Sequence, residues 1–136
     1  MMDVNWIAII IAAIVYNAIG FFWYSDSLFG KMWRAESGMT KDKITEGSKN
    51  MGRMFVFMAV GSIIMAYVLS VVFSVFEANT LSAGLTGAFW LWLGFVATIM
   101  LNSVTYEMKS WRYYFINAGY QLVGILAMGA VLVLWV

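Results

Sequence analysis

The chain has 136 residues, of which 63% are hydrophobic and 11% charged, and its formal net charge is +1. Soluble domains carry about one quarter charged residues, so the solvent for most of this surface is lipid. A charge so near zero gives a nucleic-acid partner no electrostatic basis, and a chain with neither Cys nor His lacks disulfides, thiolate chemistry and the commonest metal ligand.

A helix that crosses a bilayer needs about 20 mostly apolar residues, because its backbone polar groups have to be satisfied within the segment. The first such stretch runs from Val4 to Tyr24 without a charge. It lacks the basic n-region and cleavage site of a secretory signal and is read as a retained span. Ser25 to Arg53 follows, the one sizeable polar segment and too short for a core of its own. Within it Leu28, Phe29, Met32 and Trp33 recur at helical spacing with Lys31 and Arg34 between them. That pattern predicts an amphipathic helix over Ser27 to Glu36, lying in the membrane surface with its basic heads against anionic lipid headgroups. Thr40 then suits an N-cap, with Asp42 in the first turn of a helix that runs through Lys49 and Arg53 into the second span.

The second span is read over Met54 to Phe76. Its Ser62, Ala66, Ser70 and Ser74 stand at four-residue steps, a small-residue stripe along which another helix can approach closely. An outer turn at 77–85 leads to a third span over Thr86 to Tyr106. A tight hairpin from Glu107 to Arg112 leads to a fourth over Tyr113 to Val136. Aromatic residues gather at the span ends, among them Trp23, Tyr24, Trp111 and Trp135, as in an interfacial belt. The expectation is an all-α, single-domain, integral membrane four-helix bundle. All eight Lys and Arg fall between spans one and two or between spans three and four. The positive-inside bias therefore puts both loops in the cytoplasm of a cell-membrane protein, with both termini outside. Asp3 and Glu77, the charges on the other side, are acidic.

Phe22-Trp23-Tyr24-Ser25, followed by Leu28-Phe29-Gly30-Lys31 and Trp33, resembles the opening signature of the small bacterial and archaeal membrane proteins grouped as the domain-of-unknown-function 1761 family. Trp92 to Thr98, Leu101-Asn102 and Phe115 to Leu122 resemble that family's third- and fourth-span motifs, in order and at the expected separation. The resemblance covers nearly the whole chain and departs at Asp26, where the pattern has proline. It implies a four-span membrane protein and no particular activity.

Polar side chains within a membrane are costly and normally face the bundle interior or a wet cavity. Counted from the basic ends at 1.5 Å per residue, Asn17, Asn102, Asn117 and Gln121 all lie within about 12 Å of those ends. Thr98, Asn102 and Tyr106 share a face of span three that ends beside Glu107. Two readings stay open: a cluster, Asn102, Asn117 and Gln121 at its centre, that binds a polar ligand, or interhelical hydrogen bonds worth about 0.6 kcal/mol each. Glu107 is either part of such a site or an interfacial charge paired with Lys109 or Arg112. The Met residues inside spans read as apolar filler. The functional readings are a structural or partner membrane protein, with a homo-oligomer as one form of it, and alternatively a binder or passive transporter of a small solute or lipid through a cytoplasm-facing polar cavity. Enzyme chemistry has no nucleophile–base pair, metal-ligand cluster or cofactor motif to rest on.

Overall fold

The computed structural model describes residues 4–135. Asp3, read above as an outer charge, and Val136, the end of the fourth predicted span, lie outside them. The helices are α1 (Trp6–Trp23), α2 (Gly30–Ser37), α3 (Lys41–Lys49), α4 (Met51–Val75), α5 (Leu81–Thr105) and α6 (Trp111–Leu134). α1, α4, α5 and α6 are long and apolar enough to cross a membrane, and no strand occurs among the described residues. The expected all-α membrane fold is therefore present.

Three spans start on a hydroxyl or amide cap. The side chains of Asn5, Thr80 and Ser110 accept the backbone N–H groups of Ala8, Ala83 and Tyr113, which would otherwise lack a partner in the first turn. The cap at Thr80 explains why the third span begins at Leu81 and not near Thr86. Gly84, which looked like part of a turn, lies buried in that helix. A Cβ there would stand 2.7 Å from Val133, so the missing side chain is what lets α5 and α6 close. Thr40 caps α3 as expected. α3 and α4 are not continuous, however. The chain breaks at Asn50, whose side-chain amide donates to the Glu46 carbonyl at 3.2 Å and so competes with the helix ladder.

α6 is the hub: 50% of its apolar window is buried inside the bundle, against 17% for α4 and for α5. It runs antiparallel to α1 on one side and to α5 on the other, and α4 packs along the far side of α1. The core joins Ile9, Ala12 and Tyr16 of α1 to Ala66, Leu69 and Phe73 of α4 and to Tyr120, Met128 and Leu132 of α6. α4 and α5, although joined by a short turn, meet mainly where Phe73 faces Gly87. Elsewhere they border an apolar groove of about 300 Å³ lined by Leu69, Val72, Leu91 and Val96. Within α5, Trp92–Ala97 forms a π-helical turn, and the helix is interrupted again at Leu101. The small-residue stripe of α4 is used internally over its first half, where Ser62 and Ala66 are buried; Ser70 is half-buried and Ser74 exposed, its hydroxyl donating to the Ser70 carbonyl.

Candidate functional site

The seam between α1 and α6 carries most of the polar chemistry of the spans. The Tyr16 hydroxyl donates to Gln121 Oε1 at 2.7 Å, the Tyr24 hydroxyl to Asn117 Oδ1 at 2.6 Å, and the Tyr120 hydroxyl to the Tyr16 carbonyl at 3.0 Å. The three rings interlock, with centroids 5.0 Å apart for Tyr16 and Tyr120 and 5.4 Å for Tyr24 and Tyr120. Gly124 leaves room for them, since a Cβ there would lie 2.6 Å from the Tyr16 ring. On the other face of α1 the Asn17 amide donates to Ser62 Oγ at 3.0 Å, and Ser62 donates in turn to the Ala59 carbonyl. Each of these groups gains a partner it would lack in lipid.

At the basic end the chain leaves α1 in a tight fold that brings α2 across the start of α6. Gly30 N–H donates to the Ser25 carbonyl at 2.9 Å, and a Cβ on Gly30 would stand 2.3 Å from the Tyr24 carbonyl oxygen, so only glycine fits. The Trp23 indole donates to the Ile116 carbonyl at 2.8 Å, and its ring packs on Phe29. Trp33 lies between Tyr24 and Tyr113. Lys109 Nζ donates to the Ser37 carbonyl at 2.6 Å and Arg112 reaches Glu36 at 3.9 Å, so the two basic loops are tied together. Arg34 is paired with Asp26, and its guanidinium holds that exposed carboxyl below the usual carboxylate range.

Between α1, α2, α3 and α4, at the same end, opens a cleft of about 340 Å³. Phe21, Tyr24, Trp33 and Phe55 supply aromatic walls, and Met39, Met51, Met54 and Met58 supply flexible ones. Arg34 and the exposed Lys43 are its charged lining residues. No acid and no amide belongs to the lining.

The predicted site residues separate into groups. Asn117 and Gln121 turn toward α1, not toward Asn102. Asn102 is exposed, and its carbonyl accepts the N–H groups of Tyr106 and Glu107 at the end of α5. Thr98 is exposed with its hydroxyl on the Gly94 carbonyl, and Tyr106 and Glu107 are exposed too. The expected grouping of Asn102, Asn117 and Gln121 is thus replaced by two separate pairings of α6 with tyrosines of α1. Neither Lys109 nor Arg112 pairs with Glu107, because both engage α2. The helix of loop one starts at Gly30, not Ser27. Phe29 and Trp33 pack on protein, while Leu28, Lys31 and Met32 are exposed.

A family model described as "Protein of unknown function (DUF1761)" matches residues 7–133. The chain belongs to the DUF1761 family. No curated protein and no solved structure matches it. Set on the fold, the stretches that carry the DUF1761 likeness fall at the seams between helices. Trp23, Tyr24, Gly30 and Trp33 build the joint between α1, α2 and α6; Trp92 donates to the Ala118 carbonyl at 2.9 Å; Asn117, Tyr120 and Gln121 form the α1 seam.

Sequence reasoning passed over Tyr16 and Tyr120, which bind the amides, and the methionines of the cleft. The tyrosines left a signal: each stands beside a singled-out amide, Tyr16 before Asn17 and Tyr120 before Gln121. Met39, Met51, Met54 and Met58 crowd one short stretch, denser than filler requires.

Proposed function

We propose that this membrane protein holds an anionic amphiphile, its acyl chain in the cleft between α1 and α4 and its head against Lys43 and Arg34. The observation that carries the reading is the lining, in which four methionines and four aromatic rings stand with two cations and no acid. Methionine adapts to chains of irregular shape, and cations favour an anionic head. Hydrophobic burial alone selects nothing here, because the chain is already in lipid. Selection falls to the charged head and to the part of the cleft closed by α3, which lies outside the four spans. We further infer that the basic end faces the cytoplasm, which places the cleft in the inner leaflet of the cell membrane. A reporter active only in the cytoplasm, fused after the last residue, should then stay silent.

A second reading, a structural or partner bundle, including a homo-oligomer, is favoured by the amides: Asn17, Asn117 and Gln121 are spent on neighbouring helices and line none of the cavities described. A photoreactive fatty acid separates the two. Cross-links should concentrate on Met54, Phe55 and Met58 and weaken several-fold in Lys43→Glu. Labelling spread evenly over lipid-facing residues such as Phe95 and Ile99 would leave the bundle reading.

A further inference from the structure

The end of the molecule opposite the basic loops is built from segments that contain no Lys or Arg at all. Glu77 is its one acid among the described residues. It closes α4 in the left-handed region at φ 54, where its N–H reaches the Ser74 carbonyl and that of Ala78 the Phe73 carbonyl. A glutamate is uncommon in this conformation, which glycine or asparagine would adopt with less strain. Beside it lies a cavity of about 210 Å³ lined by Glu77, Asn79, Ser70, Phe73 and Trp135. Asn5 also borders it but is committed, its amide donating to the Trp135 carbonyl at 2.9 Å and its side-chain oxygen accepting from Ala8.

The size is below that of sites for drug-sized ligands, about 300 Å³ and upward, so the occupant is small. Its charge follows from the carboxylate at an end that offers no basic side chain. A divalent metal is a poor fit, since hard cations take six or more oxygens, with carboxylates among them, and no group of three acids gathers among the described residues. Aromatic walls favour instead a cation that carries carbon. We propose that this cavity binds a small organic ammonium group, with the Glu77 carboxylate as counter-ion, the Asn79 amide oxygen as acceptor and the rings of Phe73 and Trp135 as walls. The group may be supplied by a free amine or by a lipid headgroup, which share this chemistry.

The test uses the full chain in detergent, with choline and ethanolamine chloride as probes against sodium chloride at equal ionic strength. A second arm compares nanodiscs of phosphatidylethanolamine with nanodiscs of phosphatidylglycerol. Binding should raise the unfolding midpoint by about 2–4 °C, and Glu77→Gln should abolish the rise while leaving the midpoint without amine unchanged. Should that variant not fold, Trp135→Leu, at an exposed residue, serves in its place. A rise with the free amines assigns the group to a solute, and a rise in the nanodisc arm alone assigns it to a lipid headgroup. No rise in either arm, or a rise that the variant retains in full, overturns the proposal.

Discussion

α6 and α3 stand at opposite extremes of the same small molecule. α6 has ten buried residues and trades hydrogen bonds with both of its neighbours; α3 has none buried, and its side-chain hydrogen bonds stay within its own turn. The contrast teaches where specificity resides. Rings fitted against glycines and paired with amides permit one arrangement of α1 and α6, whereas the methionine-lined cleft beside α3 tolerates occupants of varied shape.

The largest effect that sharpens this contrast should come from filling the seam. Gly124→Leu drives a side chain into the Tyr16 ring and should cost about 1–3 kcal/mol or more, read as a lowered unfolding midpoint in detergent. Gly61→Leu on α4, where nothing lies within 4 Å, should leave the midpoint unchanged. Equal losses at the two sites would break the comparison.

Next in size is the coupling between Tyr24 and Asn117. A double-mutant cycle with Tyr24→Phe and Asn117→Leu should give a coupling of about 0.6 kcal/mol and no more than about 2. Asn102→Leu combined with Asn117→Leu should be additive, because the two amides do not meet. Strong coupling in the second pair would restore the single cluster that depth counting suggests.

The smallest effect belongs to the exposed pair of Arg34 and Asp26. Because the folded state lowers the Asp26 value, the contribution is fully present above the ordinary carboxylate value and disappears as pH falls through the lowered one. Asp26→Asn should remove this acid limb from the pH dependence of the unfolding midpoint, and solvent screening keeps the change small. A limb that survives the substitution would assign it to another carboxylate.

The four spans were legible because length and apolarity are properties of a segment by itself. Positions along each helix were nearly as legible: counting rises from the ends put Asn17, Asn117 and Gln121 at heights where all three find partners. Direction around the axis was not. Thr98, Asn102 and Tyr106 share a face by four-residue spacing, yet they follow a π turn and straddle the break at Leu101, so that face does not look toward Asn117. The cleft was illegible for another reason. It exists only because Gly30 lets α2 fold back and Asn50 separates α3 from α4, and no periodicity records such returns of the chain.

The π turn in α5 works as a phase shifter. One residue of a regular helix advances the face by about 100°, so Trp92 and Ala97, five positions apart, would point about 140° from one another. In this protein both fasten to α6: the Trp92 indole donates to the Ala118 carbonyl, and the Tyr114 hydroxyl donates to the Ala97 carbonyl. A single-residue deletion at Gly94 that restores a regular helix would therefore act as a rotation of everything downstream, unfastening one contact to keep the other. A substitution at the same open position would rotate nothing.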